Sequence, residues 1–137
     1  MDYNLDRFKR AQEYDFSFAL QEVKEGRKRS HWMWYIFPQL KGLGHSGTAD
    51  YYGISGAEEA SAYLADPVLG PRLREICEAL LLVKEKSAER IFGYPDVIKL
   101  RSSMTLFAIV SEEGSVFQQV LDKYYGGERD EKTINLL

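Results

Sequence analysis

The chain has 137 residues, 45% of them apolar and 28% charged, which is typical of one globular domain and excludes a disordered or fibrous chain. Its net charge of −3 gives no overall attraction for a nucleic-acid polymer or an anionic membrane, so any affinity for phosphate has to be local. The longest apolar run, 79–83, is too short to span a bilayer, and the N-terminus lacks the apolar core of a signal peptide. A single cysteine, Cys77, forms no internal disulfide, so we expect a cytoplasmic protein with one buried thiol.

The N-terminal part of the chain predicts two helices. Residues 5–11 place three apolar side chains on one face of the first. Asp15 is suited to cap the second, and Gly26 to end it. The apolar residues of the second helix have i, i+3, i+4, i+7 spacing: Phe16, Ala19, Leu20 and Val23.

The segment 32–37 is ambiguous. Its β-branched and aromatic residues suit a buried strand, whereas Ser30 before it and Pro38 after it suit a short helix. No partner strand is evident elsewhere, and a lone strand leaves its backbone groups without hydrogen bonds. We therefore expect a short helix or an irregular turn.

Helix signals continue through the middle of the chain. Ser55 and Glu58 form the S-x-x-E pattern of a capping box. Asp66 followed by Pro67 marks another helix start. The helix after it has an apolar stripe: Leu73, Ile76, Cys77, Leu80 and Val83.

The C-terminal part predicts the centre of the fold. From 97 to 110 the apolar residues fall all around the helical wheel, which is typical of a buried helix. Ser115 caps the next helix and Gly126 ends it, and 130–137 predicts a last short helix docked by Ile134 and Leu137. We expect an all-α, compact multihelical single domain over 1–137, with a buried central helix near residues 95–111; the oligomeric state stays open.

One stretch, Gly26 to Gly47, holds both tryptophans, both histidines and three consecutive cations. Arg27 and Arg29 are candidates to hold a phosphate while a tryptophan stacks on a base. A solvated basic turn after a helix C-terminus explains the same charges. In a helix Trp32 and Trp34 cannot face the same way, so we assign one to the core and take Trp34 as the ligand-binding residue.

The residues 42–47 match G-x-G-x-x-G, the dinucleotide-binding fingerprint. The context does not fit that fold, because Pro38 separates the loop from any preceding strand and the following residues TADYYGISG predict no helix. A weaker hypothesis remains: the backbone amides around Gly42 and Gly44 hold an anion.

The two histidines, His31 and His45, are candidates for acid–base chemistry because imidazole titrates near neutrality. A structural, hydrogen-bonded histidine is the simpler interpretation of His31. The sequence has no H-x-x-x-H or C-x-x-C spacing, so we expect neither a metal nor a cofactor.

A polar stripe crosses the predicted central helix, where Lys99, Ser102 and Ser103 have i, i+3, i+4 spacing. A lysine beside a serine makes a nucleophile if burial lowers the lysine pKa. The favoured alternative is that the hydroxyls pack helix against helix and Lys99 pairs with an acid such as Asp96. Nothing in the sequence marks an oxyanion hole.

Four blocks resemble one family: GRKRSHWMWYIFPQLKGLGHS, YLADPVLGPRL, KLRSSMTLF, and a closing G-x-x-x-D-x-x-T that contains Asp130. They are similar to the bacterial DUF1810 family, whose members are often labelled calpastatin, and the resemblance implies a compact, mainly helical domain with no established activity. The aromatic, core-forming composition argues against an inhibitor that binds as a disordered strand. In general character, not in a matched motif, the chain is also similar to the helical NADAR families that process ADP-ribose.

Two classes of function remain open. The first is a binding domain for a small anionic or aromatic ligand, such as a nucleotide or an ADP-ribose-like molecule, with hydrolysis as an open question. It takes His31, His45, Lys99 and Asp130 as catalytic candidates and predicts that one pocket gathers the following residues: Arg27, Arg29, His31, Trp34, His45, Lys99 and Asp130. The second is a non-catalytic protein-interaction module, which predicts an exposed apolar or aromatic patch and no such convergence.

Overall fold

The computed structural model describes residues 3–137, and over that range it contains helices and no strand. The helices, in chain order, are α1 Asp6–Lys24, α2 Met33–Ile36, α3 Gly47–Tyr51, α4 Ala57–Ala65, α5 Leu69–Leu82, α6 Ala88–Phe92, α7 Asp96–Ile109, α8 Val116–Tyr125 and α9 Glu131–Leu136. The expected all-α single domain is confirmed. One isolated parallel bridge joins Leu40 to Ile54 and closes the loop between α2 and α4.

Helix α7 is the centre of the fold, as its apolar wheel predicts. Eight of its fourteen residues are buried. It packs against α4, α6, α8 and α9, and α5 lies against α1, α4 and α8. A helix that is covered on several sides needs an apolar residue on each of them, which explains its low amphipathicity.

Helix α1 is continuous, so the expected break at Asp15 is wrong. No glycine or proline interrupts 6–24, and the backbone has no reason to leave the helix. The Asp15 carboxylate accepts a hydrogen bond from the Tyr35 hydroxyl instead of capping a helix. The end at Gly26 is confirmed, because Gly26 adopts a positive φ of 76° that favours glycine.

Three predictions about where helices begin in the first half of the chain are wrong. Helix α2 is the expected short helix, but Trp32 precedes it and Ser30 does not cap it. The box of Ser55 and Glu58 does not form: α4 begins after Gly56, and the Ser55 N–H donates to Glu59. The residues after the glycine loop do form a helix, α3, because the Ser46 hydroxyl caps it by accepting from the Ala49 N–H.

The C-terminal signals are mostly confirmed. The Ser115 hydroxyl caps α8 by accepting from the Gln118 N–H, and Gly126 ends it in the left-handed conformation. The docking of α9 differs from the expectation, since Ile134 and Leu137 are exposed and Thr133 is the buried residue. Within residues 3–137, no helix combines the length and the apolar character needed to cross a membrane.

The Cys77 thiol lies fully buried on α5, with its sulfur 3.6 Å from the sulfur of Met104. Burial raises the pKa of the thiol well above its ordinary value. Because the thiolate is the reactive form, we expect a thiol reagent to label the native protein at least about a hundredfold more slowly than the unfolded chain. Timed labelling with and without denaturant measures this ratio, and equal rates would contradict the packing of α5.

Candidate functional site

A cleft of about 380 Å³ lies between the segment 28–34 and the start of α7. We call it the tryptophan cleft. One wall comes from the segment before and within α2: Lys28, Arg29, Ser30, His31, Met33 and Trp34. The other wall comes from the end of α6 and the start of α7: Phe92, Tyr94, Pro95, Asp96 and Lys99. Its volume falls in the range of small-molecule sites.

The two tryptophans divide between core and cleft, as expected from their spacing. Trp32 is buried, and its ring lies near the rings of Phe37 and Phe92. Trp34 is partly exposed and lines the cleft. On another side Trp34 borders a crevice of only about 10 Å³, which is too small for a second ring. The tryptophan cleft is therefore the larger of the two spaces that border Trp34.

Glu22 of α1 holds the wall of the cleft in place. Its Oε1 accepts from the N–H of Arg29 at 2.7 Å and of Ser30 at 3.0 Å, and from Trp32 Nε1 at 3.0 Å. Its Oε2 accepts from the Ser30 hydroxyl at 2.7 Å. Burial by itself raises the pKa of this carboxyl, but these hydrogen bonds lower it to about 2. Glu22 thus stays ionised while only 8% exposed.

Sequence reasoning missed Glu22, although a signal was present. The inward face of α1 runs through Phe8, Gln12, Ala19 and Val23, and Glu22 lies on that face beside Val23. A charged residue on a buried face needs hydrogen-bond partners. The nearby Ser30 and Trp32 offered such donors, and the short distance along the chain made the contact possible.

Lys28 connects the two walls of the cleft. Its ammonium lies 2.9 Å from Asp96 Oδ2 at the start of α7, and 2.5 Å from the carbonyl oxygen of Ser30. The side chain is only 7% exposed and also lies over the Trp32 ring, 5.0 Å from its centroid. The ion pair with Asp96 and the hydrogen bond to Ser30 hold the Lys28 ammonium in place between the two walls.

Lys99 is less firmly paired than Lys28. Its ammonium lies 3.9 Å from Asp96 Oδ1, beyond hydrogen-bond distance, and 5.3 Å from the centroid of the Trp34 ring. Asp96 therefore lies between two lysines. Together with Arg29, which pairs with Glu25 outside the cleft, three cations line the space against one carboxylate. Glu22 and Glu25, which offset part of this positive charge, are not among the residues that line the cleft.

A second cleft of about 290 Å³ adjoins the first and shares Tyr94, Pro95 and Lys99 with it. We call it the polar cleft. Its other lining residues come from the glycine loop, α7 and the start of α9: Gln39, Leu43, Gly44, Ile98, Ser102, Asp130 and Lys132.

Asp130 has a structural role at the edge of the polar cleft. Its Oδ2 accepts from the Thr133 N–H at 3.1 Å, from the Thr133 hydroxyl at 2.6 Å and from the Ser102 hydroxyl at 3.1 Å. Its own N–H donates to the Thr105 hydroxyl at 2.8 Å. These bonds cap α9 and attach it to α7.

A family model described as "Protein of unknown function (DUF1810)" matches residues 2–137. The chain belongs to the DUF1810 family. Among solved structures it is similar to the conserved hypothetical protein Rv1873 from Mycobacterium tuberculosis, whose crystal structure was determined at 1.38 Å. The two are 50% identical with a TM-score of 0.96, over 98% of this chain and 96% of that one. No curated protein matches the chain.

The DUF1810 fold brings together part of the predicted site. Arg29, His31, Trp34 and Lys99 line the tryptophan cleft. Gly44, Ser102 and Asp130 line the polar cleft together with Lys99. Lys99 is thus the one residue predicted from the sequence that borders both spaces, and it joins the two groups.

Four predicted residues of the DUF1810 chain lie outside both clefts. Arg27, Gly42 and His45 are exposed elsewhere. Ser103 is fully buried, and its hydroxyl has no hydrogen-bond partner in the described residues. Ser103 lies about 100° around α7 from Ser102, which turns it from the cleft into the core.

The glycine loop is not part of a dinucleotide-binding fold. Residues 3–137 contain no strand, and the helix after the loop, α3, has five residues. Within the same range no group of three or more His, Cys, Asp or Glu side chains is arranged to hold a metal ion.

Proposed function

We propose that this DUF1810 protein binds a small anionic ligand that carries a planar group, such as a nucleotide or an ADP-ribose-like molecule, in the tryptophan cleft. The observation that carries the proposal is that three cations and a partly exposed indole line one space of suitable size. Charge-assisted contacts to phosphate and stacking on an indole are the interactions that such a ligand needs.

Lys99 is the side chain best placed to bind the anion. Lys28 is held by Asp96 and Arg29 by Glu25, whereas the ion pair of Lys99 is long at 3.9 Å. A phosphate offers Lys99 a closer partner than the carboxylate does. When Lys99 moves toward the phosphate, it uncovers the Trp34 ring for the planar group.

Hydrolysis of the bound ligand is a finer proposal, and it rests on His31. The imidazole lines the tryptophan cleft, and histidine is the side chain that most often serves in general acid–base catalysis. The one carboxylate in the lining, Asp96, is already engaged by Lys28 and Lys99. We place the protein in the cytoplasm, where a free thiol such as that of Cys77 stays reduced.

A second candidate function is a protein-interaction module. The observation that favours it is a pair of exposed aromatic side chains on α1, Tyr14 and Phe18, which are 75% and 63% exposed. Their i, i+4 spacing places them side by side on the helix. Nothing joins this pair to the cleft, so the substitution of both by alanine separates the two hypotheses.

Titration calorimetry with AMP, NAD and ADP-ribose tests the proposal. We expect Lys99→Ala and Trp34→Ala each to weaken binding by about tenfold to a hundredfold, the usual effect of one charged hydrogen bond or one stacked base. Arg27→Ala is the matched control, because it removes an exposed cation from the same basic run outside the cleft. A ligand at a hundred times its dissociation constant should also stabilise the protein by about 2.7 kcal/mol.

Equal affinities for Lys99→Ala, Trp34→Ala and Arg27→Ala would place the ligand elsewhere. The interaction module would be favoured if no probe binds and if the Tyr14→Ala/Phe18→Ala variant fails to bind a partner protein that the wild type binds.

A further inference from the structure

The two clefts adjoin each other, and the side chains that line them differ. They meet at Tyr94, Pro95 and Lys99. Tyr94 lines both clefts, whereas Trp34 and Phe92 line the tryptophan cleft alone. A ligand that fills both spaces therefore needs two unlike ends and a link that passes Lys99.

The polar cleft has apolar lining residues such as Leu43 and Ile98, and it also holds several hydrogen-bonding side chains. Among residues 3–137, no hydrogen bond or ion pair engages the Gln39 amide, the Lys132 ammonium or Asp130 Oδ1. All three side chains line the cleft, and Ser102 adds a hydroxyl oxygen. An amide, a carboxylate oxygen and an ammonium together suit several adjacent hydroxyl groups, because they offer both donors and acceptors.

Lys99 lies where the two spaces meet and makes only a long ion pair, so its ammonium is available to an anion at the junction. A single charged group there suits a linking phosphate or diphosphate. The arrangement in order is an aromatic wall, a cation with one long ion pair and a set of polar groups.

We propose that the ligand is a nucleoside diphosphate whose second phosphate carries a polyhydroxyl group such as a sugar. Its base lies against Trp34, its diphosphate lies at Lys99, and its polyhydroxyl end occupies the polar cleft near Gln39 and Lys132. This inference rests on the proposed function, and it adds the ligand class and its direction in the site.

The test compares AMP, ADP and ADP-ribose by titration calorimetry on the wild type and on Gln39→Ala and Lys132→Ala. In the wild type, ADP-ribose should bind at least about tenfold more tightly than ADP, the gain expected from one or two additional hydrogen bonds. Each of the two variants should remove most of that gain and leave the affinity for AMP unchanged. Lys84→Ala is the matched control for Lys132→Ala, because Lys84 is an exposed lysine outside both clefts.

Equal binding of ADP and ADP-ribose, with no effect of the two variants, would overturn this inference and leave the proposed function intact. The inference would also be overturned if Gln39→Ala and Lys132→Ala weakened the binding of AMP and of ADP-ribose by the same factor. Failure of all three probes to bind the folded wild type would instead overturn the inference together with the nucleotide-binding proposal.

Discussion

Replacement of Glu22 by glutamine is expected to lower the free energy of unfolding by about 3 kcal/mol, the value that follows from the depression of its pKa. The carboxylate accepts four hydrogen bonds from the segment 29–32 while it is buried. A neutral amide accepts fewer of them and brings two donors into a place that already holds donors. Urea unfolding measures the loss.

Glu25→Gln is the matched control for this substitution. Glu25 lies three residues further along α1, is exposed, and pairs with the Arg29 side chain. Loss of this exposed ion pair should change the free energy of unfolding far less than the loss of Glu22 does, because solvent screens exposed charges. If the two variants lose the same stability, Glu22 does not hold the wall of the cleft.

The same carboxylate predicts how stability depends on pH. The folded-state pKa of Glu22 is about 2, below its ordinary value of 4.5. Its contribution is therefore fully present above about pH 5 and is lost as the pH falls toward 2, because the unfolded chain takes up the proton first. The stability difference between the wild type and Glu22→Gln should shrink over this range. A difference that stays constant would contradict the assignment.

Replacement of Arg7 by alanine is expected to lower the free energy of unfolding by about 3–5 kcal/mol, the usual result when one partner of a buried ion pair is removed. The guanidinium lies 2.9 Å from Glu59 Oε2 and donates to the carbonyl oxygens of Tyr51 and Gly53 at 2.9 and 3.0 Å. It thereby joins α1 to α4, to the last residue of α3 and to the loop after it. Without it, the Glu59 carboxylate is left buried with a backbone N–H as its partner.

Arg10→Ala is the control, since Arg10 pairs with Asp6 on the same helix while its side chain is 82% exposed. We expect Arg10→Ala to change stability by less than about 1 kcal/mol. The double variant Arg7→Met/Glu59→Leu should recover part of the loss, because apolar residues can replace a buried pair. Chemical denaturation of the wild type, Arg7→Ala, Arg10→Ala and the double variant measures these differences. If Arg7→Ala is as stable as Arg10→Ala, the buried ion pair does not contribute as expected.

Features of the fold that depend on local chemistry could be predicted from the sequence. The apolar wheel of α7, the cap at Ser115 and the glycine at Gly126 each act within one or two helical turns. Trp32 and Trp34 divide between core and cleft as their spacing predicts, although Trp32 precedes α2 and only Trp34 lies within it. These predictions required no knowledge of how the helices pack.

Features that depend on contacts between distant segments could not be predicted. Asp15 resembles a cap, but the helix is continuous and its carboxylate meets Tyr35 instead. The pairing of Lys28 with Asp96 joins residues from opposite halves of the sequence. Ser103 lies four residues after Lys99 and is therefore predicted to share its face of α7, yet the packing around α7 buries it. Periodicity gives the face of a helix but not the neighbour that covers it.

The central claim is that a planar, anionic ligand binds between Trp34 and Lys99. The two indole N–H signals in a ¹H–¹⁵N spectrum test it most directly, with Trp34→Phe to assign them. As ADP-ribose is added, the signal of Trp34 should shift until it saturates, that of the buried Trp32 should change far less, and Lys99→Ala should weaken the response. An unchanged Trp34 signal at saturating ADP-ribose, AMP and NAD, or an equal shift in Lys99→Ala, would contradict the claim.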